Sequence, residues 1–136
     1  MSPEVGAGAE NYSFNCDIWS LGIVLYELIT LNKPWYNETL GTKEFFELVL
    51  SKNYPQLPEK TPKELKHLVE IMLKKDPERR AKVDEIFCLD FVYNRAKKMI
   101  KENGWEIPEY YFKHLDNFIA WAKELDLSII LDFHNN

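Results

Sequence analysis

Between Asp17 and Leu31 the chain reads Asp-Ile-Trp-Ser-Leu-Gly-Ile-Val-Leu-Tyr-Glu-Leu-Ile-Thr-Leu, with Glu27 the only charge inside. Ile18, Trp19, Leu21, Ile23, Val24, Leu25, Tyr26, Leu28 and Ile29 cover every side of a helix drawn through it. A helix that is apolar all round belongs in a protein core or in a membrane. This one is shorter than the about 20 apolar residues that a bilayer span requires. The stretch therefore predicts a core helix that other helices wrap. Asp17 is expected at its N-cap, accepting orphan backbone N–H groups.

The rest of the chain has the material for such a core. It has 136 residues, 46% of them hydrophobic, enough for one modest globular domain rather than a disordered segment. The net charge of −5 argues against a nucleic-acid binder, which is usually basic. No basic segment followed by an apolar run opens the sequence, so no signal peptide is expected, and no membrane segment either. Cys16 and Cys88 stand far apart without metal-ligand spacing, which predicts two free thiols in a reducing, cytoplasmic setting.

Other elements follow in order. Val5 to Ser13, with Gly6 and Gly8, reads as a loop. Lys33-Pro34-Trp35 ends the central helix, because proline disfavours helical geometry in the residue before it. A short amphipathic helix is expected from Thr42 to about Lys52, with Phe45, Phe46, Leu48 and Val49 apolar. Residues 53–58 are extended. Thr61, Pro62 and Glu64 read as N-cap, N1 and N3 of a capping box. Leu65, Leu68, Val69, Met72 and Leu73 then form one apolar face, and Asp76-Pro77 stops that helix. A further helix is expected from about Val83 to Lys101, with Val83, Ile86, Phe87, Phe91 and Val92 in the core and Gly104 as its end signal.

Four stretches of the chain resemble eukaryotic protein kinases. Ser2-Pro3-Glu4 resembles the motif that closes the activation segment. Asp17-Ile-Trp19-Ser-Leu-Gly22 resembles the start of the central C-lobe helix. Asp76-Pro-Glu-Arg-Arg80-Ala resembles the later D-P-x-x-R-P signature, with Ala81 in place of proline and Lys82 in place of a Ser or Thr cap. Leu89 to Arg95 resembles the end of the domain in NIMA-related kinases, where methionine often precedes S-P-E, as Met1 does here. The resemblance covers residues 1–102. It implies a mainly α fold, the helical part of a kinase C-lobe. It also implies a buried ion pair between Glu4 and Arg80, and an Asp17 matching the aspartate that holds the catalytic loop. Ser2, Pro3, Trp19 and Gly22 are its remaining motif positions.

The same resemblance implies ATP and Mg²⁺ as cofactors of the parent family. Phosphoryl transfer needs a Gly-rich loop, a strand lysine, a catalytic aspartate and a metal-binding aspartate. No G-x-G-x-x-G, V-A-I-K, H-R-D or D-F-G occurs in this sequence. A truncated serine/threonine kinase domain, inactive alone and without catalytic, cofactor or metal residues, is therefore expected. The missing kinase half or other proteins would be its partners. The alternative is a non-catalytic protein-binding module, with Trp19, Trp35 and the helix at 42–52 exposed where the other half would pack.

Residues 103–136 differ in character, with two basic and six acidic residues. Tyr111, Leu115, Phe118, Ile119 and Ala122 predict an amphipathic helix, and Leu127 to Phe133 a short strand. Asp116 to Leu125 followed by Ile-Ile-Leu-Asp-Phe-His-Asn resembles one helix–strand unit of the cellulase-like (β/α)₈ glycoside hydrolases. That resemblance implies His134 at the strand's C-terminal end, where barrel enzymes place site residues. The paired carboxylates of such enzymes are not among these residues. A glycoside hydrolase fragment is thus a second alternative.

Overall fold

The computed structural model describes residues 2–8, 14–35, 38–106 and 113. The described residues form a mainly α-helical fold with six helices: α1 (Pro3–Gly6), α2 (Asn15–Thr30), α3 (Thr42–Ser51), α4 (Lys63–Met72), α5 (Val83–Phe87) and α6 (Asp90–Glu102). The tail helix and strand expected at 111–122 and 127–133 lie outside the described residues, Lys113 excepted. The chain divides into two compact units, Met1–Val83 and Asp84–Asn136.

In the first unit α2 packs on α4, and α1 on α3. The core is Trp19, Tyr26, Trp35, Val49, Leu57, Val69 and Leu73. Gly22 sets the distance between α2 and α4. A Cβ there would stand 2.9 Å from Met72 Cβ and 2.8 Å from Leu73 Cδ2, so no larger residue fits without moving a helix. Trp19 and Trp35 stack with ring centroids 5.8 Å apart and planes 7° from parallel. Trp35 has a φ of 56°, rare for a bulky residue. Its indole N–H holds it there by donating to the carbonyls of Lys52 and Asn53, at 3.1 and 3.0 Å.

The central helix is not wrapped on all sides. Ile18, Trp19, Gly22 and Tyr26 are buried, but Leu21 is 54%, Val24 51% and Leu28 70% exposed. These three lie at i, i+3 and i+7, one stripe along the helix. The indoles that the binding-module alternative places at the surface are inside instead, as a core helix expects of Trp19: Trp19 is 2% and Trp35 7% exposed. In α3, Val49 is buried, and Phe45 and Leu48 pack against the same core. Aromatic stacking within the unit accounts for both indoles.

Helix starts also differ from expectation. The carbonyl of Phe14 already accepts from the N–H groups of Asp17 and Ile18. This puts α2's start at Asn15 and leaves Asp17 in its first turn rather than at the cap. There its charge still favours the helix dipole. Pro62, with ψ 142°, is the N-cap of α4, and no side-chain cap bond is made. Thr61 is buried rather than capping. Helix α4 ends at Met72, short of Asp76-Pro77. The helix expected from Val83 to Lys101 is two helices. Leu89, at ψ 120°, leaves the helical region and restarts the chain as the N-cap of α6. In α5 Ile86 is buried, whereas Val83 and Phe87 at its ends are 48% and 40% exposed.

Candidate functional site

The first unit draws a polar cluster around Arg80, whose residue is 1% exposed. A guanidinium carries five N–H donors in a fixed fork, and all five are used. Nε donates to the Lys74 carbonyl at 2.9 Å. Nη1 donates to Glu4 Oε1 and to the Asn15 carbonyl, both at 2.7 Å. Nη2 donates to Glu4 Oε2 at 2.9 Å and to the Lys75 carbonyl at 3.2 Å. The guanidinium carbon lies 5.1 Å from the centre of a Trp19 ring, within cation–π range. One side chain thus ties together α1, the start of α2 and the turn after α4.

Local sequence explains how each partner arrives. Pro3 opens α1, where its fixed φ suits the first helical position, and Glu4 follows it. Asp76 Oδ1 accepts from the Glu78 N–H at 2.9 Å, and the Arg79 and Arg80 N–H groups bond to the carbonyls of Asp76 and Pro77. This Asx turn aims Arg80 back at the core. Asn15 Nδ2 donates to the Pro77 carbonyl at 2.9 Å, fastening the same turn to α2.

The Glu4 carboxylate also accepts from the Cys16 thiol at 3.3 Å. Burial acts to raise its pKa. The hydrogen bonds from Arg80, the backbone and Cys16, with the Arg80 charge, outweigh burial and hold it down at about 2. The Cys88 thiol is pushed up by burial and by the charges of Asp84 and Glu85. Neither cysteine is in a disulfide.

Glu4, Trp19 and Arg80 therefore come together, with Pro3 buried beside them in the chain. Ser2 is buried too, and its hydroxyl has no hydrogen-bond partner among the described residues. Gly22 belongs to the α2–α4 contact rather than to this cluster. Asp17 is exposed. His134 lies outside the described residues. Asn15 and Cys16 join the cluster although sequence reading did not select them. Their position one helical turn before Trp19 is the signal that could have found them.

A separate cavity of about 150 Å³ lies between α2 and α3. Trp19, Ile23, Trp35 and Phe45 supply apolar wall, and Glu27 and Lys33 supply charge. Among the described residues no three His, Cys, Asp or Glu side chains gather as a metal ion would require. No helix among them is long and apolar enough to cross a membrane.

The family model "Protein kinase domain" matches residues 1–92. The chain is 36% identical over 92 residues to "Probable serine/threonine-protein kinase nek3" of Dictyostelium discoideum, covering 68% of this chain and 8% of that protein. It is 41% identical over 91 residues to "Serine/threonine-protein kinase OXI1" of Arabidopsis thaliana, covering 67% and 20%. It is 35% identical over 103 residues to "Serine/threonine-protein kinase Nek11" of Macaca fascicularis, covering 74% and 15%. The chain spans less than a quarter of the length of these curated relatives.

Proposed function

The chain belongs to the protein kinase family, and on that premise we infer that it is the helical, C-terminal part of a serine/threonine kinase C-lobe of the NIMA-related kind. In this reading residues 1–102 are the kinase part and residues 103–136 a tail. The observation that carries it is the fork of Arg80 on Glu4. The pair joins the two motifs most specific to the resemblance, S-P-E and D-P-x-x-R. A two-pronged arginine–carboxylate contact is too strict in geometry to be matched by lysine or by a chance surface pair.

The exposed stripe of Leu21, Val24 and Leu28 supports the same reading. In it, the rest of the kinase domain packs on that face of α2, and the chain's partner is that missing half. Such a surface also serves a protein-binding module without catalysis, the second reading, which a partner other than a kinase half would favour.

Protein kinases work with ATP and Mg²⁺. The residues here do not fit that pair. The sequence has no Gly-rich loop, strand lysine, H-R-D or D-F-G, and no metal-ligand group stands among the described residues. No phosphoryl-transfer step is assigned to this chain, and alone it is expected to transfer none. The purified chain, incubated with ATP, Mg²⁺ and casein, should incorporate no phosphate. Nor should ATP with Mg²⁺ raise its melting temperature. Phosphate transfer above the blank sinks the reading.

A further inference from the structure

Helix α6 closes the kinase-like part of the chain and lies almost wholly beyond residue 92, where the family model's match ends. It carries Arg95, Lys97, Lys98 and Lys101 against Asp90 and Glu102, a net +2 inside a chain of net −5. At the helical period, Val92, Tyr93, Ala96, Met99 and Ile100 share one face, and the four basic residues lie on the remaining arc together with Asp90, Phe91, Asn94 and Glu102. No residue of α6 is fully buried; on this face Met99 is 41% exposed, and Val92, Tyr93, Ala96 and Ile100 are half-buried.

The helix stops sharply. Gly104, at φ 64°, donates to the Lys101 carbonyl at 3.4 Å, and Trp105 to the Ile100 carbonyl at 3.1 Å. This is a Schellman end, which usually brings the residue after the glycine against the last turn. Trp105 remains 57% exposed there, adding an aromatic group to the end of the apolar face.

A basic amphipathic helix reads either as a ligand for an acidic, apolar groove or as a membrane-surface helix. We propose that α6 docks in the groove of a Ca²⁺-loaded EF-hand protein, an acidic partner with a methionine-rich cleft. Val92, Ala96, Met99 and Ile100 fall at i, i+4, i+7 and i+8, the anchor spacing of a helix laid in a groove. The basic arc complements an acidic rim. A bilayer suits it less, because surface binding scales with buried apolar area. This helix is only about 20 Å long, with an alanine at the middle of its apolar face.

The test titrates the full chain with Ca²⁺-loaded calmodulin as the probe, then repeats the titration in chelator. A parallel flotation uses phosphatidylserine–phosphatidylcholine vesicles. Saturable one-to-one binding that needs Ca²⁺ is expected. Lys98→Glu combined with Lys101→Glu should weaken it by about tenfold or more, since charge reversal opposes an acidic rim. Lys98 and its partner Glu102 are exposed at 3.6 Å, so the fold should tolerate the change. Met99→Gln, an exposed single substitution, gives a second variant and should also weaken binding. No binding in Ca²⁺, binding indifferent to chelator, or binding that both variants retain in full would overturn the proposal. So would capture by vesicles without binding to the probe, which would assign α6 to a membrane surface.

Discussion

Arg80 and Glu4, 76 positions apart in the chain, meet through two hydrogen bonds of 2.7 and 2.9 Å. The Arg80 side chain is fully covered and that of Glu4 is 13% exposed. Removing one member of such a pair leaves the other charge and several carbonyls without their partner. Arg80→Ala should therefore cost about 3–5 kcal/mol. Urea denaturation of the full chain checks it. A loss below about 0.5 kcal/mol is what an exposed pair would give, and it would contradict this account of the cluster.

The same pair sets an acid limit. The Glu4 pKa in the folded chain is about 2, below its ordinary 4.5. A carboxylate with a lowered folded-state pKa adds stability that is present above the unfolded value and lost as pH falls through the folded one. The contribution of Glu4 should thus be whole above pH 4.5 and fade between there and about 2. Glu4→Gln should be less stable than the parent at pH 7, and the gap should narrow through that window. A gap that stays constant down to pH 2 would place the carboxylate outside the ion pair.

Gly22 offers a test of the α2–α4 contact. A Cβ there would press on Met72 Cβ at 2.9 Å, an atom fixed to the backbone that no rotamer change can move. Gly22→Ala raises helix propensity by about 1 kcal/mol, yet overpacking of this kind costs about 1–3 kcal/mol. A net destabilisation, read as a lower urea midpoint, is expected. A stabilised variant would show that the two helices yield freely.

How far the sequence could be read depended on whether a signal was local. The helical pattern of α2, α3 and α4 is visible in their apolar spacing, and each stands within a few residues of where spacing puts it. Helix ends were less legible. Asp17 and Thr61 have the chemistry of caps, but the turn at Phe14 and the extended Pro62 settle the starts on neighbouring residues. Burial was misread where it depended on partners distant in the chain. Leu21, Val24 and Leu28 look like core by composition, but α4 and α3 cover only one side of α2. The binding-module alternative leaves Trp19 and Trp35 at the surface, whereas the two stack inside the unit. The Glu4–Arg80 contact could be written down only through the kinase resemblance, because nothing within either segment names the other. Asn15 contributes a carbonyl and Cys16 a thiol, and only their place one helical turn before Trp19 marks them in the sequence.

The central claim is that this chain is one part of a kinase domain and that the stripe of α2 seats the other. The measurement is association of the purified chain with the upstream part of a relative's kinase domain, followed by size-exclusion chromatography with light scattering. Val24 is 51% exposed, so Val24→Glu should leave the chain's own stability within about 0.5 kcal/mol. The account predicts a one-to-one complex with the parent chain and none with Val24→Glu. A parent chain that stays alone, or a Val24→Glu chain that joins the complex equally well, would contradict it.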